Sequence, residues 1–279
     1  MSPKCPPLIS IIVAVCDGAK TLQYCINSIT SQTYPNKELI IIDGGSKDAT
    51  VDLLKANSAH IGYWISEPDK GIYNAWNKGL AQAKGDWICF LGADDYFWDA
   101  QVLERIVNSL ERLPPDIRVA YGQIMIVDTD GASLYPLGEP WMKIKERFMQ
   151  IMCIPHPGMM HRRNLFEQHG QFDESFRIAG DYELLLRELK TGDAFYIPDI
   201  ITVAMMQGGI SSNPMNSLLA MREIRHAQKM HGQRLPGWIW LTATVRVYLR
   251  LLLFRLFGAA LASKALDLYK HVKQGTEGK

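Results

Sequence analysis

The sequence predicts an α/β protein with a mostly parallel central sheet. Two observations lead to this prediction: short apolar runs rich in β-branched residues alternate with segments of helical periodicity, and acidic residues follow the runs. The run at residues 9–15 is apolar except at Ser10, as expected for a strand covered on both faces. Alternating strands and helices need crossover connections, which place successive strands parallel to one another.

The elements alternate regularly over the first half of the chain. Leu22, Ile26 and Ile29 recur at helical spacing after the first strand, and Pro35 ends that pattern. In chain order we predict strand 9–15, helix 22–29, strand 39–42, helix 51–56, strand 63–65, helix 72–83, strand 87–91 and helix 101–110.

The alternation weakens after Val127, and the stretch from there to Pro157 is predicted to be irregular around a turn at Asp130-Gly131. A helical pattern returns near Tyr182 and ends near Gly192. We therefore divide the chain into residues 1–127, residues 128–236 as a second half of the same domain, and a tail, 237–279.

Charge and cysteine content exclude several classes of protein. The formal net charge of +1 leaves no basic field of the kind that attracts nucleic acid, so no nucleic-acid partner is predicted. Five cysteines without a CxxC pair indicate reduced thiols in a cytoplasmic protein. The apolar run before Asp17 is too short for a signal peptide and is interpreted as the first strand.

The tail is apolar and aromatic but contains Arg246, Arg250, Arg255 and Lys264. An arginine at the bilayer centre costs about 2.5–3.5 kcal/mol, which disfavours a transmembrane helix. A helix in the membrane interface agrees better with this composition, although Arg255 falls on the opposite helical face from the other basic residues. A helix that packs on the core is the alternative.

Acidic residues follow all four predicted strands of the first half. Ligands of open α/β sheets bind beyond the carboxyl ends of the strands, where these acids should meet and repel one another without a cation. They are Asp17, Asp43, Glu67, Asp69, Asp94 and Asp95.

The pair Asp94-Asp95 is the most informative of these. Two hard oxygen ligands on a tight turn can hold Mg²⁺ or Mn²⁺ and leave coordination sites for phosphate oxygens. The alternative is that one of them caps the helix at 101–110. Asp43 has two interpretations as well, because it could cap a helix or accept a hydrogen bond from a base. Neither GxGxxG after the first strand nor GxxxxGK[ST] occurs, which disfavours dinucleotide-binding and P-loop proteins.

Five segments together resemble the family 2 glycosyltransferases, which have the GT-A nucleotide-sugar fold. They are ISIIVAVCDG, SITSQTYPNKELIIIDGGSKDAT, EPDKGIYNAWNKGLAQAKGDWICFLGADD, HPGMMHRR and GQFDESFRIAGDYELLLR. The resemblance covers roughly residues 8–213 and is strongest to bacterial enzymes that extend surface-polysaccharide repeat units. It implies a nucleotide-sugar donor, with a UDP-sugar favoured, and a divalent metal, Mn²⁺ or Mg²⁺. It also implies a lipid-linked saccharide acceptor, which the enzyme would meet at the cytoplasmic face of the inner membrane.

The resemblance also implies roles for individual residues. Residues of the nucleobase and ribose pocket would be Ala14, Asp17 and Asp43. Residues facing the donor phosphates and sugar would be Asp69, Asn77 and Lys78. The metal motif would be Asp94 and Asp95, with Asp95 the direct ligand.

Asp181 matches the position of the family's general base, and an N-cap of the following helix is its alternative role. Many relatives carry a second acid where this sequence has Gly44. The resemblance predicts an inverting transferase. The other functions to weigh are a metal-dependent sugar nucleotidyltransferase and an inactive carbohydrate-binding relative.

Overall fold

A computed structural model describes residues 6–208 and 214–253. In this part of the chain nine strands form one sheet: β1 (Ile9–Val15), β2 (Lys37–Asp43), β3 (Tyr63–Ser66), β4 (Trp87–Gly92), β5 (Tyr96–Phe97), β6 (Val119–Val127), β7 (Ser133–Leu137), β8 (Met160–Arg162) and β9 (Ala194–Met206). The helices are α1 (Leu22–Thr30), α2 (Thr50–Ala56), α3 (Ile72–Gln82), α4 (Val102–Leu110), α5 (Trp141–Phe148), α6 (Arg163–His169), α7 (Gly180–Leu189), α8 (Pro214–Met230) and α9 (238–253).

The predicted α/β class is confirmed, and parallel pairing dominates the first half of the sheet. The strand order is β3-β2-β1-β4-β8-β6-β9-β5, with β7 beside β6. The first four strands in this order are parallel, whereas β8 is antiparallel to both of its neighbours and β6 is parallel to β9. In the register Ala14 lies beside both Ile42 and Gly92, so β1, β2 and β4 end at one edge.

The stretch 128–157 is more regular than predicted. It contains the edge strand β7, joined to β6 by the turn at Asp130-Gly131, and the short helix α5. Strand β7 is mostly exposed and contains Pro136, so it lacks the apolar run by which the core strands were recognised. The predicted helix near 182–192 is confirmed as α7.

Two hydrophobic clusters cover the two faces of the sheet. Alternate residues of β1 point to opposite faces, with Ile11 and Val13 in one cluster and Ile12 in the other. Helices α1 and α4 cover the first face, and α3 and α7 cover the second. Burial on both sides explains why the strand sequence is apolar at almost every position.

Helix α9 has one covered and one exposed apolar face. Trp240, Ala243 and Val247 pack against the core, as the alternative interpretation of the tail requires. The opposite face exposes apolar side chains at helical spacing, namely Leu241, Val245, Tyr248, Leu249 and Leu252. Within residues 6–208 and 214–253, no helix is long and apolar enough to cross a membrane. Arg255, Lys264 and the rest of the predicted tail after residue 253 lie outside the described residues.

Candidate active site

A cavity of about 910 Å³ lies at the edge where β1 and β4 end. Strand ends supply one wall, and the first turn of α7 and the end of β9 supply another. Residues predicted for the site that line this cavity are Ala14, Asp17, Asp69, Asp94, Asp95 and Asp181. Asp43, Asn77 and Lys78 are not among its lining residues.

The two predicted metal ligands, Asp94 and Asp95, closely follow β4. Asp95 is 6% exposed and its Oδ2 accepts the Gly92 N–H at 2.9 Å. Burial, and then the charge of Asp94, raises the pKa of Asp95 to about 8. The alternative role as a helix cap is wrong, because α4 begins at Val102 and Asp99 Oδ1 accepts the nearby Gln101 N–H.

This pair has the properties of a divalent cation site. Two adjacent carboxylates face the cavity, and burial raises the pKa of Asp95, so a neighbouring positive charge would stabilise its ionised form. Among the residues that the structure describes there is no group of three or more His, Cys, Asp and Glu that could hold a metal. The remaining ligands of a cation would therefore be phosphate oxygens or water, which Mg²⁺ and Mn²⁺ accept readily.

Asp17 and Asp43 join the loops that follow β1 and β2. The Asp17 N–H donates to Ser46 Oγ at 2.7 Å, and its Oδ1 accepts the Lys47 N–H at 2.8 Å. The Asp43 carboxylate is fully buried and accepts the Ser46 N–H at 3.0 Å, the Ser46 hydroxyl and the Ser66 hydroxyl at 2.5 Å. Asp17 thus faces the cavity, whereas Asp43 fixes the loop behind it.

Asp69 lies opposite the place where many relatives have a second acid. Its Oδ1 accepts the Gly71 N–H at 2.8 Å, which turns the chain into α3. A Cβ built on Gly44 would lie 2.5 Å from Asp69 Oδ2. A side chain at position 44 would therefore force the Asp69 carboxylate to shift from its present position.

Asn77 and Lys78 were expected to face the donor, but neither lines the cavity. Their polar groups instead bind partners within the protein. Asn77 Nδ2 donates to the Phe172 carbonyl and to Glu174, both at 2.9 Å, and its Oδ1 accepts the Phe172 N–H at 3.0 Å. Lys78 Nζ lies 2.7 Å from Glu67 Oε1. Asn77 ties α3 to the segment before α7 and has a structural role.

Asp181 is the second residue of α7 and lines the cavity. The alternative role as N-cap is wrong, because Ala179 holds that position and makes no side-chain cap. Asp181 Oδ1 accepts the Tyr182 N–H at 2.8 Å and the Tyr73 hydroxyl at 3.3 Å. Burial raises the pKa of Asp181 to about 6, against the opposing effect of these hydrogen bonds.

Residues for which the sequence predicted no site role also line the cavity, including Tyr73, Trp76, His156 and Arg177. Tyr73 and Trp76 are three positions apart on α3, a spacing that places both on one helical face and could have identified them. His156 is 5% exposed, packs against Trp76, and has no hydrogen-bond partner for Nε2 within the described part of the chain. Burial lowers its pKa well below the usual value, so the ring is neutral.

The sequence profile of the family described as "Glycosyl transferase family 2" matches residues 10–170, more than half of the chain. The chain belongs to this family. A relative named "PGL/p-HBAD biosynthesis glycosyltransferase", from Mycobacterium bovis BCG, is 31% identical over 185 residues, covering 65% of this chain and 69% of its own.

Solved structures support the GT-A fold of this family 2 glycosyltransferase. S. aureus TarS in complex with UDP-GlcNAc aligns with a TM-score of 0.63 at 16% identity, over 89% of this chain and 73% of that one. The Pyrobaculum calidifontis mannosyltransferase PcManGT, in complex with GDP-Man and Mn²⁺, aligns with a TM-score of 0.58 at 15% identity, over 97% and 81%. The family match and the relatives named as glycosyltransferases show that the protein is an enzyme that uses a nucleotide-sugar donor, and the nucleotidyltransferase and inactive-relative alternatives are set aside.

Proposed function

We propose that this glycosyltransferase transfers one sugar from a UDP-sugar to a hydroxyl of a lipid-linked or polysaccharide acceptor, with inversion at the anomeric carbon. One observation carries the proposal. Asp94-Asp95 at the end of β4 and Asp181 in the first turn of α7 line the same cavity. One cavity would thus contain both a site for the cation that binds the leaving diphosphate and a carboxylate that can take the proton of the acceptor hydroxyl.

The strand-end residues form the donor side. Asp94 and Asp95 would hold Mn²⁺ or Mg²⁺, which neutralises charge on a leaving diphosphate. Ala14, Asp17 and Asp69 line the same cavity. Ala14 and Asp17 would contact the nucleoside, and Asp69 would face the donor phosphates and sugar. UDP as the nucleotide is supported by the fold shared with TarS, whose complexes contain UDP and UDP-GlcNAc, while PcManGT binds GDP-Man with Mn²⁺.

Asp181 is the proposed general base. With a pKa of about 6 its carboxyl is mostly ionised at neutral pH and still basic enough to assist a hydroxyl. The acceptor oxygen forms a bond to the anomeric carbon while its proton moves to Asp181, and the bond to the nucleoside diphosphate breaks on the opposite face. A single displacement of this kind inverts the configuration.

The exposed face of α9 supports a lipid-linked acceptor and a position at the cytoplasmic face of the inner membrane. Residues 224–253 contain five arginines and lysines and no acidic residue, and the apolar side chains of α9 from Leu241 to Leu252 face outward. Apolar side chains with basic neighbours bind anionic lipid surfaces. An enzyme held there would meet acceptors carried by membrane lipids.

A donor panel tests the proposal. The purified enzyme is incubated with UDP-, GDP- and dTDP-sugars and Mn²⁺, with and without a bacterial lipid extract, and nucleoside diphosphate release is measured. We expect release from a UDP-sugar that is lost on chelation and in Asp95→Asn and Asp181→Asn, but not in the matched control Glu167→Gln on α6. Product of retained configuration, or full activity of Asp181→Asn, would refute the mechanism.

A further inference from the structure

Glu223 of α8 binds a row of backbone amides immediately before α7. Its Oε1 accepts the Arg177 N–H at 2.9 Å, and its Oε2 accepts the N–H groups of Ile178 and Ala179, both at 2.8 Å. Consecutive amides that converge on one point form a binding site for an anion, and here a carboxylate from a distant helix fills it. These are charge-assisted hydrogen bonds, which are stronger than those between neutral groups.

The amides that Glu223 binds are adjacent to the proposed general base. Ala179 is the N-cap of α7 and Asp181 follows two residues later, while Arg177 and Ile178 line the cavity themselves. Ala179 offers no side-chain cap, so the first turn of α7 takes its position from the carboxylate of Glu223. A change at Glu223 would therefore move the cavity wall and Asp181 together.

The opposite side of the same turn is fixed by α3. A Cβ built on Gly180 would lie 2.8 Å from the Tyr73 ring, and the hydroxyl of that ring donates to Asp181. The first turn of α7 is thus held between Tyr73 on one side and Glu223 on the other. Little freedom remains for the Asp181 carboxylate in this arrangement.

We propose that Glu223 is a positioning residue, which holds segment 177–179 so that the Asp181 carboxylate faces the acceptor hydroxyl in the cavity. This inference rests on the proposed role of Asp181 as general base. Glu223 does not line the cavity, so it acts through the backbone and makes no contact with the substrate. The three hydrogen bonds need both oxygens of a carboxylate, which a glutamine cannot replace because its NH₂ group would face an N–H donor.

The charge of Glu223 gives the proposal a specific signature. Burial has the largest effect on the pKa of Asp181, and the titratable side chains that act on it from the described residues include Tyr73 of α3, whose hydroxyl lowers it, and Glu223 of α8. The negative charge of Glu223 raises the pKa of Asp181. Removing that charge should move the acidic limb of the pH profile to lower pH, an effect that loss of helix stability alone would not produce.

The experiment compares Glu223→Gln, Glu223→Asp and Glu223→Ala with Glu167→Gln, an exposed glutamate on α6. Four quantities are measured on the full chain: kcat for the nucleotide sugar that the wild type uses, the pH profile of that kcat, affinity for UDP with Mn²⁺, and amide hydrogen exchange of residues 177–182. We expect Glu223→Gln to lower kcat about 10- to 100-fold, as small misplacements of reacting groups do. UDP affinity should stay unchanged, exchange in 177–182 should rise, and Glu223→Asp should recover part of kcat.

The outcomes separate this inference from the proposed function. If Asp181→Asn is inactive while Glu223→Gln keeps kcat and the wild-type pH profile, Glu223 has only a structural role and the inference is overturned. If Asp181→Asn is active, the general base has been wrongly assigned, and both proposals fall. A loss of UDP affinity in Glu223→Gln equal to its loss of kcat would also overturn the inference, because it would indicate general disruption of the cavity.

Discussion

The hydroxyl of Tyr73 donates to Oδ1 of Asp181 across 3.3 Å, and the two residues are 108 positions apart in the chain. Tyr73 lies on α3 and Asp181 on α7, so this contact joins the two helices that cover one face of the sheet. Gly180 allows it, because a larger residue would collide with the tyrosine ring. The hydrogen bond stabilises the charged form of Asp181, whereas burial of the carboxyl favours the protonated form.

Activity should therefore depend on pH through Asp181, and Tyr73→Phe should change that dependence. The base must be ionised, so kcat of the wild type rises as pH increases through about 6, the pKa of Asp181. Tyr73→Phe removes a donor to the carboxylate and should shift this limb to higher pH. A pH profile of kcat checks both statements, with exposed Tyr24→Phe on α1 as control. A limb that stays in place in Tyr73→Phe would contradict the assignment.

Asp95→Asn should remove the effect of metal on stability. A cation that binds only the folded state raises the free energy of unfolding by about 2.7 kcal/mol when its concentration is 100 times its Kd. We expect Mn²⁺ to raise the Tm of the wild type and of the exposed control Asp52→Asn, but not that of Asp95→Asn. Thermal unfolding with Mn²⁺ or with a chelator measures this. A Mn²⁺-induced rise in Asp95→Asn equal to that of the wild type would place the metal elsewhere.

Gly44→Ala should weaken donor binding by displacing Asp69. The new Cβ would lie 2.5 Å from Asp69 Oδ2, well inside van der Waals contact, so the carboxylate must shift from its present position. Gly62→Ala is the matched control, because the atom nearest to its Cβ would be a carbonyl oxygen at 3.4 Å. Calorimetric titration with UDP and Mn²⁺ should show weaker binding for Gly44→Ala alone. Equal affinities for the two variants would exclude Asp69 from the donor site.

Asn77→Ala should reduce stability and leave nucleotide binding unchanged. The substitution leaves the buried N–H and carbonyl of Phe172 without partners, at a cost of about 1–3 kcal/mol for each such group. Asn74→Ala, on the same helix, loses two exposed hydrogen bonds, one to Glu174 and one from the Lys70 N–H, and should cost less. Urea unfolding and UDP titration measure the two properties. Weaker UDP binding with normal stability would restore the donor role expected for Asn77.

Leu249→Glu should weaken binding to lipid vesicles. Fully burying a leucine side chain contributes about 1.5–3 kcal/mol, so replacement by a charged residue should lower vesicle affinity about tenfold or more. Met142→Glu on α5 is the control, since Met142 is 80% exposed and lies outside α9. Sedimentation with vesicles containing phosphatidylglycerol is the measurement. Wild-type binding that Leu249→Glu leaves intact, or no binding by the wild type, would refute the membrane-facing role of α9.

The sequence by itself determined the α/β class and the order of the elements in the first half. It also determined that the acidic residues lie at the carboxyl ends of the parallel strands. Strands 9–15, 39–42 and 87–91 were predicted correctly because each is buried on both faces, and that burial requires an apolar residue at nearly every position. The acidic pair Asp94-Asp95 was predicted to lie at the edge of the sheet because it closely follows such a strand. These features depend on residues that are neighbours in the chain.

Only the tertiary structure decided which of the candidate polar residues face the cavity. Asp43 is bound by Ser66 from another strand, Asn77 by Phe172 from 95 positions away, and the turn at Asp181 by Glu223 from α8. A polar side chain is available to a substrate only if no partner in the fold has already taken its donors and acceptors. Those partners come from distant segments, and their positions are set by packing, which no local pattern in the sequence records.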